Sequence, residues 1–241
     1  MNQPTRRRQV NRLPRERRVA EILEAARAVF TQSGYENALI SDIAERAGVV
    51  EGSIYRYFEN KRDLLTKVIE HWYGGFLADD ESHFPSVRGT WNRLRYLIWH
   101  HLSTIHGEPA LSRLVFTEFR PNPAYRTTSL FALNRRYTAR VIEVVKDAVA
   151  SGEFRPDVPP HLVRDMIYGC IEHYTWAFVR GEGDFEVDGT ADRITDIVYR
   201  GLVAQPETAV AADPLSSPIT RLEKLADRLE AAVAAQNRKT P

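Results

Sequence analysis

Apolar residues recur at three- and four-residue spacing along most of the chain, the pattern of amphipathic helices. From Glu16 to Gln32, one stripe runs through Val19, Ile22, Leu23, Ala26, Val29 and Phe30. Gly34 then reads as a helix stop, with Tyr35 packing back on the last turn. Ile40, Ile43, Ala44 and Ala47 form a second stripe that Gly48 ends, and a short third segment carries Ile54 and Phe58. Asn60 to Asp63 opens a fourth helix through Leu64, Leu65, Val68, Ile69 and Trp72, expected to end near Gly74-Gly75. Residues 78–90, polar and turn-rich, read as a connection. Further helices are expected at about 90–106, 109–119, 124–151, 160–180 and 189–203. Period-2 runs of β-branched residues are lacking, so no sheet is expected. The fold class predicted is all-α.

The helix expected at 160–180 is apolar on more than one face, through Val163, Met166, Ile167, Cys170, Ile171, Tyr174, Ala177 and Phe178. Such a helix is covered on two sides. One face suits the domain core and the other a partner subunit, with the helix bearing Ile194, Ile197, Val198 and Leu202 as its companion. Residues 205–217 are rich in Ala, Pro and Ser and read as a linker. A last amphipathic helix is expected at 218–236, with Leu222, Leu225, Leu229 and Val233 in one narrow stripe.

The 241 residues fit one large domain or two small ones. A single cysteine, Cys170, excludes an intramolecular disulfide framework. No apolar run reaches the roughly 18–20 residues of a membrane span, and no apolar stretch follows the basic N-terminus as in a secretory signal. A cytoplasmic protein without a membrane partner is expected. The net charge of +1 hides an asymmetry. Residues 1–18 carry seven arginines against Glu16, a net +6 that leaves −5 for the rest. A basic arm on an acidic body points to a polyanion, most simply nucleic acid, although a solvated tail has the same composition.

The most informative segment is 34–62. Ala44 is small where a second helix must approach, Gly48 sits at the turn, and Ile54 lies six residues further in the core of the next helix. That spacing is a helix-turn-helix signature, in which the second helix can enter a major groove. Ser53 is short enough for a base edge or a phosphate. Tyr55 and Tyr57 present hydroxyls, and Lys61 adds charge near the next helix start. Helix-surface aromatics packed on the fourth helix are the alternative for the two tyrosines.

Residues 15–65 resemble the DNA-binding domain of TetR-type transcriptional repressors. The resemblance rests on Phe30, Gly34-Tyr35, Ile43-Ala44, Ala47-Gly48-Val49, Gly52 through Phe58, and Lys61 through Leu65. It implies a three-helix N-terminal domain and a C-terminal helical bundle that dimerises through its last two main helices and holds a small-molecule inducer. Carried over by position, Glu51, Gly52 and Ser53 face bases, while Tyr55, Tyr57 and Lys61 grip the backbone. Ala38 departs from the family, which usually has Thr there to cap the second helix and touch a phosphate. Asn37 or Ser41 must then cap, and Ser41 joins the expected DNA contacts. The C-terminal half also resembles the fatty-acyl-responsive branch, through Gly152-Glu153-Phe154-Arg155, Asp165 to Gly169, and Glu172-His173.

The expected organisation is an arm at 1–14, a DNA-binding domain at 15–62, a ligand and dimerisation domain at 63–204, the linker and the extra helix. Trp99, Phe116, Phe119, Tyr137, Met166, Cys170, His173 and Tyr174 are candidates for the pocket lining, and Glu172 and His173 for pocket or dimer-seam contacts. The function expected is a homodimeric repressor on a palindromic operator in double-stranded DNA, released by an apolar or amphipathic inducer such as an acyl-CoA or a fatty acid. A non-DNA interaction module is the alternative. An enzyme fits least. His100, His101 and His106 lack the spacing of a metal site, Cys170 lies in a segment that reads as buried, and no metal or cofactor is expected.

Overall fold

The computed structural model describes residues 14–204 together with 222, 223 and 225. Leu222, Glu223 and Leu225 are helical and belong to a second unit, Val203–Pro241. The rest of the basic arm, the linker at 205–217 and the remainder of the helix expected at 218–236 lie outside the described residues.

Within the first unit, the described residues form nine α-helices and no sheet. The first, α1 (Arg15–Asn37), contains a break at Gly34, whose φ of 74° and ψ of 173° are non-helical. Positive φ is strained for any residue with a Cβ, which explains the glycine. Tyr35 returns to within 6.2 Å of the Phe30 ring. A seven-residue α2 (Ile40–Arg46) ends where Gly48 takes a φ of 64°. There the Val49 amide donates to the Ala44 carbonyl and the Gly48 amide to that of Glu45, closing the end of the helix. The four-residue α3 (Glu51–Ile54) follows, then α4 (Lys61–His83). Ile22, Ala26, Phe30, Ile43, Ile54 and Leu65 are buried where α1 to α4 meet. Asn60 caps α4 by accepting from the Asp63 amide at 2.9 Å, and Asp63 accepts from the Glu59 amide in return.

The fourth helix corrects the expected connection at 78–90. It passes through Gly74-Gly75 and runs to His83, so the join to α5 (Thr90–Gly107) is only 84–89. Two interior glycines cost about 1 kcal/mol each relative to alanine. Burial of Leu65, Ile69, Tyr73 and Leu77 at four-residue spacing outweighs that cost. The boundary expected at 62/63 therefore falls in the first turn of α4, which packs on both α1 and the bundle.

After α5 come α6 (Pro109–Leu114) and a π-helical turn at Val115–Phe119. The helix expected from 124 begins at 129. Pro123–Thr127 is a 3₁₀ turn, and Thr128 caps α7 (Ser129–Ala150) by accepting from the Phe131 amide. The last two are α8 (Pro160–Val179) and α9 (Val187–Leu202). The bundle is built on α5 against α9 and on α7 against α8 and α4.

Candidate nucleic-acid interface and ligand cavity

The first helices leave the candidate DNA residues wholly or partly exposed. Ile54 and Phe58 point inward and are buried, while Glu51, Gly52, Tyr55 and Arg56 are exposed and Ser53 and Tyr57 partly so. No heavy atom lies within 4 Å of where a Gly52 Cβ would stand, so its backbone is open to close approach. Tyr55 is half-exposed at 50%. The Arg15 guanidinium lies 5.9 Å from the Tyr57 ring centroid, which adds charge beside that hydroxyl. Lys61 is held rather than free. Its ammonium donates to the Glu36 carbonyl at 3.0 Å and sits 4.8 Å above the Tyr35 ring.

The caps expected for α2 are absent. Asn37 donates to the Ser33 carbonyl, Ser41 donates to Asp42 at 3.3 Å, and Leu39 occupies the N-cap without a side-chain bond. Ala38 is buried, 1% exposed, so packing fixes this helix start instead. Ser41 remains exposed, with its hydroxyl on the Asp42 carboxylate.

A cleft of about 620 Å³ lies between α1, α4 and α5. Leu23 and Arg27 contribute from α1, His71, Trp72, Phe76 and Asp79 from α4, and Tyr96, Trp99 and His100 from α5. Trp99 is the one expected pocket residue that lines it. Tyr137 is buried behind it, 4.9 Å from Phe76 between ring centroids, with its hydroxyl 3.3 Å from His100 Nδ1. Phe116 and Phe119 are buried elsewhere, against Trp176 and beneath Arg62 respectively. Met166, Cys170, His173 and Tyr174 lie on the exposed side of α8, so the eight expected residues do not converge on one cavity. The exposed thiol also corrects the expectation that Cys170 is buried. Glu172 pairs with Arg120 on the other flank of α8.

Burial sets the protonation of this interior. Tyr96 is pushed up to about 12 by burial, with Asp80 and Asp79 adding to the effect. His101, enclosed by the Tyr137 and Tyr168 rings, is lowered to about 3, first by burial and then by the charges of Arg120 and His100. Burial also lowers His100 and raises Asp80, which Arg140 contacts at 3.3 Å. The cleft itself combines the rings of Trp72, Phe76, Tyr96 and Trp99 with the charged side chains of Glu24, Arg27, Asp79 and Glu108 at its edge. Among the described residues, no group of three or more His, Cys, Asp and Glu side chains is placed to hold a metal ion. No described helix is long and apolar enough to cross a membrane.

Phe76 and Asp79 lie beyond the stop expected at Gly74-Gly75, whereas His71 and Trp72 lie within the expected helix, where spacing alone does not separate a cavity face from a core face. The four-residue spacing from Leu65 to Leu77 is the signal that carries the helix onward.

Comparison with known proteins agrees with this geometry. Residues 22–68 match the model for bacterial regulatory proteins of the tetR family, and residues 88–202 match the tetracyclin repressor-like C-terminal domain. The chain is 24% identical over 182 residues to a fatty acid metabolism regulator protein of Bacillus subtilis, covering 76% of this chain and 94% of that one. It is 25% identical over 171 residues to the transcriptional repressor KstR2 of Mycobacterium tuberculosis, covering 68% and 80%. The crystal structure of FadR from Bacillus subtilis in complex with stearoyl-CoA is similar with a TM-score of 0.68 and 25% identity, covering 76% of this chain and 98% of that one.

Proposed function

The chain belongs to the tetR family of bacterial regulatory proteins and is a DNA-binding transcriptional regulator, and from that premise we propose a homodimeric repressor released from a palindromic operator by an acyl amphipath. The observation that carries the proposal is the edge at 51–57, buried at Ile54 and open at Glu51, Gly52 and Tyr55. Ser53 and Gly52 meet base edges, Tyr55 and Tyr57 meet phosphates, and Glu51 accepts from a cytosine amino group. Lys61 acts through Tyr35 and Glu36, steadying the turn, as well as through its charge.

Dimerisation is supported by α8 and α9. Leu162, Met166 and Tyr174 on α8 and Ile197 on α9 are large apolar side chains left exposed on one chain. A second copy that covers them pairs the two recognition edges across a two-fold axis. The half-sites then stand roughly 34–36 Å apart or at a multiple of that spacing.

An acyl effector is supported by the aromatic cleft and by the stearoyl-CoA complex of the Bacillus subtilis relative. The cleft is lined by α1 as well as by α4 and α5, so an occupant touches the DNA-binding half directly. An effector that favours one placement of α1 over another shifts the population bound to DNA.

Fluorescence anisotropy of a labelled duplex from the region upstream of the protein's own gene tests the proposal. Saturation at two chains per half-site pair, with competition by unlabelled specific duplex, is expected. Binding no tighter than to random duplex would exclude the assigned function.

A further inference from the structure

The basic arm is not used by the contacts assigned to residues 51–57. We propose that the arm, with Arg15 and Arg17 at its root, lies in the minor groove adjoining each half-site and reads that groove's width and its A·T content. This rests on the DNA-binding reading of the 51–57 edge and extends it to base pairs that the edge does not touch.

The root of the arm stands beside that edge. Helix α1 begins at Arg15, and Pro14 before it is extended, with φ −49° and ψ 148°. The Arg15 guanidinium lies 5.9 Å from the Tyr57 ring centroid. With Tyr57 on a phosphate, the chain enters α1 next to the sugar-phosphate backbone that borders the half-site.

Charge along α1 is sorted in the same direction. Arg18 pairs with Glu21 at 2.8 Å, and Arg27 pairs with Glu24 and Glu108. Arg15 and Arg17 are exposed and have no carboxylate within ion-pair distance among the described residues. Arg6, Arg7, Arg8 and Arg12 continue the run, and residues 1–18 carry a net +6. A block of like charge repels itself and is neutralised by a polyanion.

The reach is sufficient. The thirteen residues before Pro14 span at most about 43–47 Å when extended. Less than half of a DNA turn of roughly 34 Å separates a strand's phosphates from the middle of the minor groove beside it.

The chemistry selects the groove over phosphates alone. A guanidinium offers donors only, and the floor of an A·T minor groove presents acceptors only, N3 of adenine and O2 of thymine. Guanine adds an amino donor there, which sets like against like. A·T runs also narrow the groove and deepen its negative potential, which attracts arginine. A guanidinium is more weakly hydrated than an ammonium and loses less on entering. Gln9 and Asn11 stand between the arginines, and their amides suit the same floor.

Fluorescence anisotropy on the full chain tests the assignment. The probes are the duplex upstream of the protein's own gene, two versions of it with A·T or G·C runs beside the footprinted site, and a random duplex. The variant Arg6→Gln/Arg7→Gln/Arg8→Gln/Arg12→Gln changes only residues ahead of α1. The parent is expected to prefer the A·T-flanked duplex by about tenfold and the variant to bind both alike. Each phosphate neutralised adds about 0.9 to the slope of log affinity against log salt, so the variant's slope should be shallower by about two to four. The same flank preference in parent and variant overturns the proposal, and so does an unchanged slope. A shallower slope with no flank preference in the parent overturns it in favour of phosphate contact alone. In all three outcomes the edge reading stands as long as the parent prefers its upstream duplex to the random one. Parent binding no tighter than to the random duplex overturns the edge reading and the arm's role with it.

Discussion

Arg62, in the first turn of α4, reaches the Glu118 carboxylate at 3.3 Å on the far side of the junction between the DNA-binding helices and the bundle. The same guanidinium donates to the Glu118 carbonyl and lies 4.3 Å from the Phe119 ring centroid. With Arg27 of α1 paired to Glu108, two arginines of the first half are anchored on the segment around α6.

The Arg62 anchor is partly exposed, so its ion pair is screened and its cation–π contact contributes about 0.5–1 kcal/mol. Arg62→Ala is expected to lower stability by about 1–2 kcal/mol. The measurement is urea denaturation at fixed protein concentration, and an unchanged midpoint would show that the contact contributes nothing.

At the DNA edge, Tyr55→Phe is expected to weaken binding to all duplexes, because a phosphate contact carries no sequence information. Ser53→Ala is expected to change which duplexes are preferred, by less than the roughly 1–3 kcal/mol of a bidentate base contact. Anisotropy at fixed salt on matched and mismatched duplexes separates the two. Unchanged affinity in both variants would remove these residues from the interface.

The partner face yields a third expectation. Met166 and Ile197 are 58% and 75% exposed on one chain, so a charge there costs little until a second copy covers it. Met166→Glu and Ile197→Glu are each expected to give folded monomers by sedimentation velocity, and to lose operator binding with the dimer. A dimer that persists at the same concentration would put the interface elsewhere.

The helix-turn-helix was legible because short-range spacing fixes it. Ala44, Gly48 and Ile54 each have a local steric reason that survives in any context. The length of α4 was not legible, because two adjacent glycines favour a stop locally and only tertiary burial of Tyr73 and Leu77 overrides them. The candidate pocket residues failed for a related reason. An apolar residue such as Met166 reads the same whether it faces a cavity or a partner, and its face is decided by where α9 and α7 pack.

Protonation supplies a fourth expectation. The folded pKa of His101, lowered to about 3, lies below the ordinary value of 6.5, so the unfolded chain binds the proton more readily. The stability gained by keeping the ring neutral is fully present above about pH 6.5 and is lost as pH falls toward 3. His100 shifts in the same direction. Denaturation midpoints should therefore fall between pH 7.5 and pH 5, and His101→Phe should flatten that slope. An equal slope in the variant would assign the pH dependence to other groups.

Release of the operator depends on differential affinity. Moving a population from 99:1 bound to 1:99 requires about a 10⁴-fold preference, or roughly 5.5 kcal/mol, for the released state. The direct measurement is calorimetric titration of stearoyl-CoA into the free protein and into its saturated operator complex. The expected result is apparent binding about a hundredfold weaker to the complex, because only about 1% of the protein starts in the released state, with DNA displaced as the site fills. Equal affinity for the two, with the operator still bound, would contradict effector-driven release.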